Sequence, residues 1–460
     1  MRPRHLPPPP AMTPSATACS KGLKLVAERE SNARTYARTF DRLFTRGSLS
    51  TIWDSDGRDY IDLLACAGAL PLGHNHPTVM AAVGEFLGAG HLQQGLDLAT
   101  PSKLDFIEQL LSTLPPAFAR DCRLQFCGPC GADAVEAALK LFKTATGRHA
   151  VIAFHGAYHG MTAGAMALMG NLGPKTPVPH SGAGVHFFPF PFPHARHCPF
   201  GVGGEEGETL SLRYLDRALG DPESGITPPA LVMVEAIQGE GGCIPASARW
   251  LRGLRDITAR HGVPLVIDEV QTGFGRSGQM FAHEIAGIVP DAIVLSKALG
   301  GGFPLAVLAY HQRHDAWLPG AHAGTFRGNQ IALAAGAATM RFLRDHDLPA
   351  RAAASGERLR QGLRELAGTF PCLGDIRGRG LMLGLEIVSP RDGAPDGALA
   401  RRLKRACFHQ GVIVETGGRH GAVMRLLPAL TISDDDIDKA MQRIGEALRA
   451  CAAEREPAAA

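Results

Sequence analysis

Short apolar runs alternate with helical patterns through the middle of this chain, and that alternation restricts its fold more than any other feature. Residues 124–127 (LQFC), 151–154 (VIAF), 230–234 (ALVMV), 265–267 (LVI), 292–295 (AIVL) and 305–309 (LAVLA) read as strands. Stretches 132–142 and 248–261 carry apolar residues at helical spacing between them. Strands apolar along their whole length are buried on both faces. The pattern predicts an α/β fold with a mostly parallel sheet, in which ligands gather at the carboxyl ends of the strands. From 171 to 223 many Pro and Gly residues break the rhythm, so a long loop or excursion is expected there. After about Arg341 the texture changes to Ala-, Arg- and Leu-rich helices with short strands. The organisation expected is a disordered Pro-rich leader (1–22), an N-terminal segment (23–75), a large domain (76–340) and a small C-terminal domain (341–460).

Composition removes several classes of function. The chain of 460 residues is 45% hydrophobic and 20% charged, with a net charge of +3 and its Lys and Arg scattered, so no basic stripe points to nucleic acid or an anionic membrane. No apolar run approaches the ~20 residues of a membrane span. Prolines 7–10 stand where a signal peptide would need an apolar core, so the leader is read as disordered and the location as cytoplasmic. Ten thinly spread cysteines with one CxxC, Cys127 to Cys130, indicate reduced thiols; a thioredoxin-like pair is the alternative reading of CGPC. His155 with His159, and His194 with His197 and Cys198, lack both the HExxH context and a tetrahedral ligand set, so no metal is expected.

The chemistry falls at strand ends. In VIDEVQTGFGR, Asp268 closes an apolar run, a costly position for a carboxylate unless a cation or hydrogen-bond donor meets it. Strand alternation sends Glu269 to the opposite side as a structural partner. Lys297 follows AIVL and precedes ALGGG, a partly apolar, Gly-rich setting in which a lysine loses its proton and becomes an amine nucleophile. FCGPCGADAVE passes from strand through a Gly-rich turn into a helix start, which suits a phosphate, although it has neither the Walker lysine nor GxGxxG spacing. In FHGAYHG the ring of Tyr158 is suited to stacking on a flat cofactor.

Together these residues resemble the fold-type I pyridoxal-phosphate enzymes, and in particular the class III (ω-amino) aminotransferases. The resemblance runs over about 28–448 and rests on VMVEAIQGEGG, VIDEVQTGFGRSG, DAIVLSKALGGGFPLAVL and GTFRGNQ. It implies a large domain with a mostly parallel seven-stranded sheet, a smaller α+β domain against which the N-terminal segment packs, and pyridoxal 5'-phosphate as cofactor. Carried onto this sequence, it makes Lys297 the covalent attachment point and proton shuttle, and Asp268 the partner of the pyridine nitrogen. Val270 and Tyr158 would sandwich the ring and Gln271 would lie near its oxygen. Cys130, Gly131 and Ala132 would cup the phosphate, with Thr325 reaching it from a neighbouring subunit, which implies a homodimer with shared sites. Arg425 would grip a substrate carboxylate and Glu240 would pair with that arginine when an amine lacking a nearby carboxylate is bound. Arg34 is a further candidate for a carboxylate.

ESNARTY, AGALPLGHNHP, RHCPFG, TFRGNQ and ETGGRHGAVMR are similar to the diaminobutyrate:2-oxoglutarate aminotransferases. The implied reaction moves the terminal amine of L-2,4-diaminobutyrate to 2-oxoglutarate, giving L-aspartate 4-semialdehyde and L-glutamate. Ornithine, lysine and 4-aminobutyrate remain alternative donors, and an aminomutase, racemase or decarboxylase would keep Lys297 and Asp268. Two positions depart from the family pattern: Cys130 stands where Ser or Thr is usual, and Cys66 where related sequences tend to have Gly.

Overall fold

The apolar runs assemble into one twisted sheet of seven strands. In the computed structural model, which describes residues 16–178 and 184–453, these are β1 (Cys122–Phe126), β2 (Val151–Phe154), β3 (Val185–Phe188), β4 (Leu231–Glu235), β5 (Leu265–Asp268), β6 (Ala292–Leu295) and β7 (Val307–His311). Their order across the sheet is β1-β7-β6-β5-β4-β2-β3. Neighbours are parallel except at β7, which is antiparallel to both β6 and β1. The link 296–306 explains the reversal, because a parallel return needs a crossover of about a dozen residues or more.

Alternate residues of each strand enter opposite cores. Val151, Ala153, Met233, Val266 and Val294 pack with Val135, Ala138 and Phe142 of helix α1 (Gly131–Thr146). Ile152, Phe154, Val234, Leu265 and Ile267 pack on the other face with Trp250, Leu251 and Leu254 of helix α3 (Ala248–Arg260). This alternation carries Asp268 and its register partner Glu235 to the α1 side, toward that helix's N-terminus.

Two expectations need correction. The stretch 171–223 is not simply a loop: it contributes the edge strand β3 and a helix, α2 (Gly204–Gly220), lying against α3. Its described prolines lie in the connections, and they masked the two regular elements between them. The expected leader is helical where it can be described, since a helix runs from Ala16 to Arg29; no proline follows Pro14 until Pro71, so nothing breaks the helix there. Residues 1–15 of that leader lie outside the described residues.

Beyond helix α4 (Gln330–Asp345), a second sheet is built from β8 (Leu373–Arg379), β9 (Met382–Ile387), β10 (Glu415–Gly417) and β11 (Val423–Leu426). Its order is β8-β9-β11-β10, antiparallel throughout. Strands Phe44–Ser48, Thr51–Asp54 and Asp59–Asp62 pair with Val412–Ile413, which ties the N-terminal segment to the C-terminal residues. The turn between β8 and β9 closes on the loop after β5. At Gly380, with φ +52°, a Cβ would lie 2.6 Å from the Gly278 nitrogen, so only glycine brings the two sheets this close.

Trp250 is fully buried against Phe154 and Phe190 and donates to Ser211 Oγ at 3.3 Å. Trp250→Ala should therefore lower the unfolding free energy by about 3–5 kcal/mol in urea titrations. A loss below about 1 kcal/mol would contradict this packing.

Candidate active site

Asp268 ends β5 and its carboxylate is only 5% exposed. One oxygen accepts the Val270 backbone N–H at 3.0 Å, and the other lies 2.7 Å from Nδ1 of His159, which is fully buried. Burial favours a neutral imidazole, but the hydrogen bond and charge of Asp268, aided by Glu235, outweigh it and raise the His159 pKa. His159 thus donates to Asp268 while its Nε2 is left without a partner. Glu235, beside Asp268 in register, accepts the N–H of Tyr158 at 3.0 Å and of Gly239 at 2.9 Å. This single carboxylate fixes both the loop carrying Tyr158 and the turn carrying Glu240. Burial, reinforced by the charge of Asp268 and opposed by that of His159, pushes its pKa up to about 7.

Lys297 follows β6 with φ 49°, a left-handed conformation that costs a non-glycine residue about 1–2 kcal/mol and marks a position held by its surroundings. Among the described residues no hydrogen bond or ion pair takes its ammonium. Burial lowers its pKa, in spite of the charges of Glu240, Asp268 and Glu235.

Lys297, Asp268, Tyr158, Val270 and Gln271 line one cavity of about 460 Å³. Cys130, Gly131, Ala132 and Glu240 line it too, so nine of the residues expected at the site converge there. Cys130 caps α1 with its thiol making no capping bond, and the first N–H groups of that helix have no partner within it. A Cβ at Gly131 would lie 2.9 Å from the Val270 side chain, so glycine is needed to bring the helix start against the loop after β5. Gln271 donates to Ala67 O at 3.1 Å and leaves its other amide atom buried without a partner.

Arg425, on β11, is buried behind this wall and pairs with Glu240 at 2.7 Å; Glu240 is the member of the pair that reaches the cavity. Burial works against its charge, and Glu240 more than restores it, so its pKa is raised. Arg34 does not enter the cavity. Its guanidinium is spent on the carbonyls of Glu30, Ser31 and Ala27 at the end of the N-terminal helix. From the same stretch it is Tyr36 that feels the site: burial, then the charges of Glu415 and Glu240, raise its pKa. Thr325 is exposed and lies outside the cavity of its own chain.

Glu269 is fully buried on the opposite side, where it accepts from His283 N and Ala282 N and meets His283 Nδ1 at 2.8 Å, as alternation requires. Of the histidines considered as metal ligands, His159 has Asp268, His194 and His197 face Asp375 and Glu386, and His155 lines a neighbouring space. Cys127, Asp133 and His322 bring ligand atoms together, as do His194, Asp375 and Glu386. In the first group His322 Nε2 lies 3.0 Å from Asp133; in the second Glu386 also pairs with Arg196 and Arg377. His159, Glu235 and Tyr36 were not singled out for these parts from sequence. The available signal for His159 was its place next to Tyr158 in AYHG; for Glu235 it was a second acid closing an apolar strand.

Residues 32–448 match the family model described as aminotransferase class-III, and the chain belongs to that family. It is 51% identical over 419 residues to the diaminobutyrate--2-oxoglutarate aminotransferase of Rhizobium meliloti (strain 1021), covering 89% of this chain and 88% of that one. It is 46% identical over 426 residues to the protein of the same name from Haemophilus influenzae, covering 91% and 93%. Among solved structures, an amine transaminase from an uncultivated Pseudomonas species, in its PLP-bound form, superimposes with a TM-score of 0.80 at 28% identity, covering 92% of this chain and 98% of that one.

Because the fold depresses the Lys297 pKa, it favours the neutral amine and works against folding wherever an unfolded lysine would be charged. Lys297→Met should stabilise the cofactor-free protein at pH 7. In melting curves taken against pH the gain should shrink as pH rises toward ~10.4, the pKa of a free lysine; a gain independent of pH would contradict the depressed pKa.

Proposed function

We propose that this chain transfers the terminal amine of L-2,4-diaminobutyrate to 2-oxoglutarate, reversibly, using pyridoxal 5'-phosphate. The observation that carries this reading is the convergence of Lys297, the Asp268–His159 pair and the N-terminus of α1 on one cavity. That cavity fits the cofactor. It offers an unpaired lysine with a lowered pKa for the aldehyde, unpartnered helix N–H groups for the phosphate, a carboxylate for the ring nitrogen, and Tyr158 and Val270 for the two ring faces.

When bound, the cofactor supplies an electron sink for the negative charge left on the substrate carbon as it loses its proton. Lys297 would hold it covalently and, when free, would move the proton as general base and then general acid. Asp268 would keep the ring nitrogen protonated, with His159 holding that carboxylate in place. Backbone N–H groups of Gly131 and Ala132 would hold the phosphate, with Cys130 a weaker donor than a hydroxyl. Gln271 would serve the ring oxygen. Glu240 shields Arg425 while the ω-amine is bound and releases it to take the C1 carboxylate of 2-oxoglutarate.

The working unit is a homodimer in which Thr325 of one subunit completes the phosphate cup of the other. Its support is the exposure of Thr325 together with Leu87, Leu92, Leu98, Leu104, Leu318 and Phe326, large apolar side chains left on the surface of a single chain. Among the described residues no helix is long and apolar enough to cross a membrane; we assign the protein to the cytoplasm, in keeping with exposed thiols such as Cys66 and Cys130 that form no disulfide.

Incubation of the loaded protein with diaminobutyrate and 2-oxoglutarate should yield glutamate and aspartate 4-semialdehyde in equal amounts by mass spectrometry. Amine loss from the α-carbon, or none, would refute the reaction. Lys297→Ala should abolish turnover. Arg425→Lys should lower kcat/KM for 2-oxoglutarate by about 10- to 100-fold, from the loss of a bidentate charged pair, with a smaller effect on the diaminobutyrate half-reaction. Equal losses in the two half-reactions would remove Arg425 from acceptor binding.

A further inference from the structure

Cys127 directly follows β1 and Asp133 stands in the first turn of α1, on either side of the Gly-rich turn 128–131. His322 comes from a distant part of the chain, the connection between β7 and α4 that also carries Thr325. The thiol, a carboxylate oxygen and a ring nitrogen of these three residues lie within 4.8 Å of one another. His322 Nε2 is 3.0 Å from Asp133 Oδ2, while its Nδ1 is buried with no partner among the described residues. Cys127 is 1% exposed and the His322 side chain 7%; the Asp133 side chain, 35% exposed, leaves an entry from solvent. The transamination steps use none of the three.

The backbones that carry these groups are tied together. Cys127 N–H donates to Ala306 O at 3.0 Å, Gln125 Nε2 to His322 O at 3.0 Å, and Lys140 Nζ, from α1, to Ala321 O at 2.9 Å. Gly128 N–H donates to Asp133 Oδ2 at 2.5 Å and holds that carboxylate over the turn. Among the described residues no arginine or lysine pairs with Asp133. The cluster of His194, Asp375 and Glu386 differs in this respect: Arg377 meets both acids and Arg196 meets Glu386, so a cation there would compete with guanidinium groups. A thiol, an imidazole and a carboxylate suit zinc, whereas magnesium and calcium take oxygen ligands. Ligand atoms around a tetrahedral zinc stand about 3.3–3.8 Å apart, so small side-chain rotations close the cluster.

We propose that Cys127, Asp133 and His322 bind one zinc-class divalent cation, with water as fourth ligand, and that the ion clips the turn 128–131 to the connection carrying Thr325. On binding, the Cys127 thiol gives its proton to solvent and coordinates as thiolate, while the carboxylate and the neutral imidazole bind through lone pairs. The start of α1 carries about half a positive charge, against which two full negative charges prevail.

The test uses the full chain loaded with pyridoxal phosphate, equilibrated with zinc chloride, desalted and analysed for metal, beside its Cys127→Ser, His322→Gln and Cys130→Ser variants. One zinc per chain is expected, with a raised melting temperature. Zinc affinity should fall about 100-fold or more in Cys127→Ser and in His322→Gln, and change by less than about threefold in Cys130→Ser. Cobalt(II) in place of zinc should give the visible bands of a tetrahedral thiolate site, and these should vanish in Cys127→Ser. Zinc well below one per chain, zinc displaced by equimolar magnesium, or affinity unchanged in Cys127→Ser overturns the proposal. Zinc that leaves with Cys130→Ser and stays with Cys127→Ser belongs to the exposed thiol and overturns it as well. Should Cys127→Ser not fold, His322→Gln carries the same readings.

Discussion

A buried carboxylate at the end of β5 is the constraint around which this molecule is organised. Asp268 is surrounded by strands that pack on both faces, and a charge there is sustained only by specific partners. His159 and the Val270 N–H supply them, and each brings a loop with it: His159 brings the segment carrying Tyr158, and Val270 brings the turn against which α1 begins. Glu235 fastens the same Tyr158 loop from the neighbouring strand and holds the turn before Glu240. Removing Asp268 would leave His159 without its acceptor at a buried position, so the wall carrying Tyr158 and the carboxylate support each other.

The second sheet takes part through one ion pair. Arg425 is buried on β11, and Glu240, on the loop after β4, is the residue through which it communicates with the cavity. The approach is close because glycines line it: a Cβ at Gly417 would lie 3.2 Å from the Glu240 carbonyl oxygen, and one at Gly242 3.0 Å from Arg377. Side chains there would force the two sheets apart and separate the pair. Outside it, Arg419 lines the adjoining space with its guanidinium stacked on Phe192 and no described carboxylate beside it.

Much of this was legible in the chain. Uniformly apolar runs identify a doubly covered sheet because partial burial would leave alternating polar residues. Asp268 and Lys297 stand out because an acid or a lysine directly after such a run must be accounted for. Direction was not legible at β7, where the shortness of the connection decided an antiparallel return. The elements β3 and α2 were hidden because prolines in flanking turns dominate the local composition. The place of Arg34 was not legible either: an arginine near a helix end can satisfy itself on that helix's own carbonyls, and sequence does not reveal where a long side chain finds its hydrogen bonds.

The sequence by itself determined the layered α/β architecture, the strand ends at which chemistry collects, and the residue types that meet there, because burial periodicity and the cost of an unpaired charge are local properties of the chain. Only the tertiary structure decided which partners those charges have. His159 lies 109 positions from Asp268, and Glu240 lies 185 positions from Arg425. Pairings at such separations are set by how strands are ordered in a sheet and how two sheets approach each other. No periodicity along the chain records that information, since a carboxylate is satisfied by whichever donor the packing brings within hydrogen-bond reach.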